Sequence, residues 1–471
     1  MGTSAQARPT LTVARRGPGE PRILSFQQEL LWYLGQLAPK NPAYNGPFLI
    51  RLQGELDEAA FQRALDAVVE RHEVLRTVFI APNGIPVPFV MKNRRADLKL
   101  IDLRRLPEPE READAMRLAK QEAAKPFNLA RDGMSRSTLF RLSERDYLFL
   151  CVIHHIVFEG GSVSILFRDL AAFYNAFTAS VAPHSPPLNI DYSDFASWQR
   201  NWLQAERLET LTRFWRQRLA GAPVIDIPLD FTRPAVHTMR GAKHSFQFPP
   251  GLLATAGAFF RETDTTSYRA LCAAFNVFLY CYSGLTDISL GTPCAPRCRG
   301  IENLIGFFVN TVVLRIDSSD DPTFRKLIRK VDVALHGAIA HSDLPFSKIV
   351  ESVQPPRDTS RTPLFQINFR VPQQPYPPLK LDRVTAGPIE LIDNGTSKFD
   401  LALEIGAFIG EASYFEYCTD LFEERTILQM EADFLTLLAE LVAHPDTPAS
   451  HLSAVREISQ RVRPAVTEGS R

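Results

Sequence analysis

Apolar and polar positions alternate along this chain in a helix–strand rhythm. Ser25 precedes a strongly apolar run and Gln28 follows three residues later, the pattern of a capping box opening a helix with Phe26, Leu30, Trp32, Tyr33 and Leu34. Residues 47–54 (PFLIRLQG) read as a strand. Asp57 then caps a helix whose Phe61, Leu65 and Val68 share one stripe, and residues 74–80 (VLRTVFI) read as a further strand. Residues 147–155 (YLFLCVIHH) are apolar on both faces, as in a central strand covered on both sides. Gly160-Gly161 breaks that strand. Ser162 is expected to cap a helix with Leu166, Leu170, Phe173, Tyr174 and Phe177 at helical spacing.

Proline and small polar residues gather around 180–190, which marks a boundary between lobes. A second helix–strand series follows: a helix over 268–283, strands at 287–291 and 308–316 with a loop over 292–306, and a strand at 364–371. Prolines at 372–378 then separate a final set that ends in an amphipathic helix over 424–443. The expected layout is a disordered leader over 1–21, an N-terminal lobe over 22–188, a C-terminal lobe over 189–455 and a flexible tail over 456–471. The interleaving of strands and helices places the chain in the α/β class with mixed sheets.

Composition narrows the function classes. The 471 residues, 45% apolar and 23% charged, suit a globular protein with a large core. Lys plus Arg and Asp plus Glu both number 53, so no global charge draws the chain to nucleic acid or to an anionic membrane. The N-terminal 21 residues hold no apolar signal core, and no run of 18 apolar residues occurs, so a cytoplasmic location without a membrane span is expected. The six cysteines are scattered among apolar residues and read as buried free thiols. Cys294 and Cys298 lie close together, but no second ligand pair at zinc-finger spacing follows, so no metal is expected.

The segment His154-His155-Ile156-Val157-Phe158-Glu159-Gly160 carries the candidate chemistry. Adjacent strand residues point to opposite faces, so only one of the two histidines can enter a reaction space, and both faces are apolar. Three readings stand side by side: a pair of satisfied buried histidines, a metal site using His154, His155 and Glu159, or a general base beside a Gly turn and a helix start. An imidazole takes a proton from an amine or alcohol near neutral pH, and N–H groups at the helix start can meet a developing oxyanion.

This segment resembles the HHxxxDG motif of condensation domains from non-ribosomal peptide synthetases, in the chloramphenicol-acetyltransferase-like superfamily. The resemblance continues over most of the chain, in the family's motif order. It runs through LSFQQELLWYL (24–34), RHEVLRTVF (71–79), YSDFASWQ (192–199), IGFFVNTVVLR (305–315), HSDLPFSKIVE (341–351) and RDTSRTPLFQ (357–366), then KFDLAL (398–403) and YCTDLF (417–422).

The resemblance implies two similar lobes in a V with a tunnel between them. A peptidyl carrier protein, acting in trans, would deliver an acyl group on phosphopantetheine, with no tightly bound cofactor, and a small-molecule amine or alcohol would accept it. His155 would be the general base, His154 its support on the opposite face, and Gly160 the residue that keeps the turn tight. The family's Asp, usually paired with an arginine of the other lobe, is matched by Glu159, and the arginine by Arg297. Ser25, Trp198 and Asn310 fall in family motifs, with packing and lobe-to-lobe hydrogen bonding as their expected roles.

Glu159 departs from the family's Asp by one methylene. The intact His-His pair argues against the non-catalytic recruiting relatives and the cyclization relatives, and no adenylation or carrier-protein motif is found. A freestanding, monomeric condensation enzyme forming an amide or ester is the leading expectation. A carrier-recruiting binding module and an acyl-CoA-dependent acyltransferase are the alternatives.

Overall fold

The structure, a computed structural model, describes residues 11–295, 298–372 and 374–463. Eleven strands form its two main sheets: β1 (Asn45–Gly54), β2 (Leu98–Asp102), β3 (Ser135–Arg141), β4 (Asp146–His154), β5 (Gly241–Phe246), β6 (Asp287–Cys294), β7 (Asn310–Asp317), β8 (Ile367–Arg370), β9 (Val384–Leu391), β10 (Leu401–Glu404) and β11 (Ser413–Cys418). Contacts divide the chain into two compact units. The first holds Met1–Ala205, Ala295–Val309 and Tyr376–Asn394, and the second Glu206–Cys294, Asn310–Pro375 and Gly395–Arg471. The expected single cut at 188/189 thus gives way to a division in which two later segments belong with the N-terminal part.

The first unit's sheet has the order β9-β1-β4-β3-β2. Only β2 and β3 run parallel, and β4 sits in the middle, antiparallel to β1 and β3. That place explains its apolar sequence, since Phe149 and Leu150 face opposite sides and both are fully buried. The helix Glu58–Arg71 covers one face through Phe61, whose ring meets Phe149 edge-on at 4.9 Å. Asp57 caps this helix, as its sequence implies, by accepting from Ala60 N–H. The Ser25–Gln28 capping box forms in full at the helix Phe26–Leu37.

Three expectations in this unit change. The run 74–80 is a strand only over Thr77–Ile80, because a 3-10 turn over Glu73–Arg76 precedes it, closed by the Thr77 hydroxyl on Glu73 O at 2.8 Å. The helix after the motif spans Gly160–Thr178, so it starts before Ser162, and its N-cap is Glu159. The leader is docked from residue 11 on. Leu11–Thr12 pairs with Cys298–Arg299, Val13 is buried, and Arg16 binds Asp194 through its backbone N–H (3.1 Å) and Nε (3.0 Å).

The second unit's sheet has the order β7-β6-β8-β10-β11-β5, with β8 parallel to both β6 and β10. One face carries Phe369, Leu403 and Phe415 against the helix Ser267–Ser283, an almost wholly buried element. Gly284 ends that helix at φ +76°, a left-handed C-cap that glycine enters without a Cβ clash. The long helix Glu424–Ala443 forms at the expected bounds. The expected flexible tail is helical over its first part: Ser453–Val462 buries Val455 and Ile458, and Arg463 Nε donates to Cys281 O at 2.9 Å. Among the described residues no helix is long and apolar enough to cross a membrane. Four cysteines are buried free thiols, and Cys294 and Cys298 are half-buried.

Candidate active site

The site lies where β4 ends. His154 is the last residue of that strand, and a 3-10 turn over His155–Val157 follows directly. Both histidines are anchored by backbone, His154 N–H on Met134 O (2.9 Å) and His155 N–H on Tyr44 O (2.8 Å), so the ring positions are set by the sheet.

The two rings hold their protons on opposite nitrogens. His154 Nδ1 accepts from the Ile156 N–H at 3.1 Å, so its neutral ring carries the proton on Nε2. The residue is buried, beside Phe127 and Tyr44. His155 Nδ1 lies 3.1 Å from Phe158 O. A carbonyl only accepts, so Nδ1 donates and the basic lone pair is on Nε2. His155 is half-buried. His154 therefore spends its lone pair on the turn, while His155 carries its own on the nitrogen that points away from the turn.

Glu159 does not touch either ring. One carboxylate oxygen, Oε2, accepts from the N–H groups of Phe308 (2.9 Å) and Val309 (2.6 Å). Burial pushes its carboxyl up to about 7, against the lowering by these two N–H bonds. Although part of the residue remains exposed, its carboxyl end is enclosed by protein. Among the described residues Glu159 forms no ion pair, and Arg297, its expected partner, lies outside the described residues.

The same strap, residues 306–309, is pinned at every step by side chains around the motif. Ser162 Oγ bonds Gly306 O (3.1 Å) and Gly306 N–H (3.2 Å), which is why its hydroxyl does not cap its own helix. Tyr192 donates to Phe307 O at 2.6 Å, and Gln27 donates to Phe308 O at 3.4 Å. The strap in turn lays the Phe307 ring against His155, with centroids 6.2 Å apart. Gly306 is required here, because a Cβ would stand 2.2 Å from the Tyr192 ring. Glu159 thus acts on the His155 surroundings through backbone and Phe307.

The remaining predicted residues fall on both units. Ser25 is fully buried; its Oγ accepts from Gln28 N–H and meets Tyr192 Oη at 2.9 Å, which ties the first helix to the strap. Gly160 and Gly161 are exposed at the start of their helix, where the first N–H groups have no intrahelical acceptor. Trp198 packs in an aromatic row with Phe195 and Trp202. Asn310 belongs to the second unit and caps a loop there: Nδ2 donates to Ser342 O and Leu344 O, both at 2.7 Å, and Oδ1 accepts from Phe346 N–H at 3.0 Å. These local bonds replace the lobe-to-lobe role expected of it. Gln27, Ser162, Tyr192 and Phe307 are site residues that the sequence pattern does not single out. Three of them lie in matched motifs, but the bonds from Ser162 and Tyr192 to the strap span 144 and 115 residues, which no local pattern reveals.

A mixed α/β fold with an oriented histidine at a strand end beside a helix start defines a histidine-dependent acyl-transfer class. Family comparison agrees: the condensation domain model matches residues 21–462, and the chain belongs to the condensation domain family. Members in non-ribosomal peptide synthetases form amide bonds and work with carrier protein domains. The chain is 40% identical over 442 residues to one linear gramicidin synthase polypeptide of Brevibacillus parabrevis, covering 93% of this chain and 9% of that protein. It is 37% identical over 453 residues to the phosphinothricin tripeptide synthetase PhsC of Streptomyces viridochromogenes, covering 94% and 41%. The chain thus spans less than half the length of either relative. Among solved structures, the X-domain from teicoplanin biosynthesis aligns with a TM-score of 0.83 at 27% identity, over 94% of this chain and 99% of that one. The first condensation domain of the calcium-dependent antibiotic synthetase shares the fold, with a TM-score of 0.78 at 21% identity over 92% and 100%.

Proposed function

We propose that this chain transfers an acyl or aminoacyl group from a carrier-protein phosphopantetheine thioester to an amine or alcohol, with His155 as the general base. His155 Nε2 takes the proton of the attacking N–H or O–H as the new C–N or C–O bond forms. The C–S bond then breaks, and the pantetheine sulfur leaves as a thiol once His155 returns the proton. The observation that carries this reading is the His155 Nδ1–Phe158 O bond, which holds the ring in the tautomer with Nε2 basic. Carrier protein, phosphopantetheine arm and acceptor are all substrates that arrive from outside, and the chain acts on its own as a monomer.

The test is His155→Ala with a loaded carrier protein and a panel of amines and alcohols, scored by product mass. A loss of about 10²–10⁴-fold is expected; unchanged turnover removes His155 from the chemistry. One observation favours a second reading. The solved complex of the teicoplanin X-domain with OxyB, 28% identical to this chain, shows a relative that holds a partner enzyme. Carrier-protein binding with no product from any donor–acceptor pair would support a recruiting role, and turnover with free acyl-CoA alone would support an acyl-CoA acyltransferase.

A further inference from the structure

The first helical residue after the motif turn, Gly160, is exposed and its backbone is not left-handed, so its conformation does not call for glycine. Among the described residues, one atom approaches the position a Cβ would take: the Tyr376 hydroxyl oxygen, at 3.2 Å. Tyr376 comes from a segment 216 residues further on that belongs to the same unit, and its ring packs on that unit's core. The hydroxyl is therefore held rigidly over an open glycine, at the start of a 19-residue helix where N–H groups face outward. A tyrosine hydroxyl has one proton to give and two lone pairs, so it supports a further hydrogen bond whatever partner it already has.

We infer that Tyr376 is a positioning residue: its hydroxyl and the bare Cα of Gly160 form one subsite for an amide group on the arm of the thioester substrate. The absence of a Cβ keeps the approach open, and the phenol supplies a fixed polar wall. The inference rests on the acyl-transfer reading above. It assigns Tyr376 to holding the substrate, with proton transfer left to His155.

The experiment compares wild type, Tyr376→Phe, Gly160→Ala and the double variant, each checked for an unchanged melting temperature. Two readouts are taken: steady-state kinetics with the loaded carrier protein, and titration with a carrier protein bearing a non-hydrolysable amide analogue of the thioester. Loss of one neutral hydrogen bond predicts a KM about five- to tenfold higher for Tyr376→Phe, with kcat within about twofold, and matching weaker binding of the analogue. Gly160→Ala is expected to lose a similar factor, and the double variant no more than the worse single one, because both changes damage the same contact. Unchanged KM and analogue affinity in Tyr376→Phe, or fully additive losses, overturn the proposal. A wild type that binds the analogue but turns nothing over defeats the acyl-transfer reading instead, and the analogue titration then still decides the subsite.

Discussion

Two matched motifs, HHIVFEG at 154–160 in the first unit and KFDLAL at 398–403 in the second, put their polar residues to different uses. In the second, Asp400 is buried and closed upon by Arg233, with Nη1 at 2.9 Å and Nη2 at 2.5 Å, while its backbone N–H donates to Gln366 O. This two-pronged pair is complete within the unit and has no chemistry to offer. In the first, His154 and Glu159 are also spent on backbone, but the turn they help hold fixes the tautomer of His155 and puts its basic lone pair on Nε2. Motif membership alone does not separate architecture from chemistry. The direction of each hydrogen bond does.

The largest effect that sharpens this contrast is expected at Asp400. Asp400→Asn keeps the shape but leaves the Arg233 guanidinium buried without its counter-charge, and removing one partner of such a pair costs about 3–5 kcal/mol. Urea unfolding should show that loss, with the surviving folded fraction as active per molecule as wild type. A variant with normal stability and no turnover would break the contrast, since Asp400 would then belong to the chemistry.

Glu159 gives the next effect, and it depends on pH. Its carboxyl is raised from 4.5 to about 7, so the folded state holds this proton more tightly than the unfolded state does. Its contribution to stability is full below about 4.5 and is lost as pH rises through about 7. The move corresponds to about 3 kcal/mol. Glu159→Gln retains an oxygen for the Phe308 and Val309 N–H groups without a titrating charge. Relative to wild type it should therefore gain stability between pH 5 and pH 8, read by urea unfolding at the two values. A difference between the two proteins that does not change with pH would place the carboxylate in a charge pair, as the Asp of the family motif suggests.

Local signals make much of this legible. The Ser25–Gln28 capping box, the Asp57 cap and the two-faced apolar run of β4 each depend on residues within a few positions of one another, and each forms. What escapes a reading of the sequence is long-range. The pairing of β9 with β1 joins residues more than 300 apart, and the docking of residues 11–16 depends on Asp194, so a polar segment reads as a disordered leader. At the site, the histidine pair is visible, but the sequence leaves open which ring is basic. That depends on two carbonyl and amide contacts that only the 3-10 turn creates. Glu159 reads through its charge, whereas the structure uses it as an acceptor for a strap 149 residues away.

The smallest effect tests the division between the two histidines themselves. His154 Nδ1 is the acceptor for the Ile156 N–H, and Ile156 is fully buried. In His154→Phe that N–H has no acceptor and no access to water, a cost of about 1–3 kcal/mol. In His154→Asn the side-chain oxygen can accept from the N–H two residues on, the local bond that asparagine favours in turns, so most of the loss should return. Stability and turnover should move together across these two variants, because His154 acts only by holding the turn that carries His155. If His154→Phe instead keeps its stability while turnover falls as far as in His155→Ala, the lone pair of His154 takes part in proton transfer and the assignment of the two rings must be exchanged.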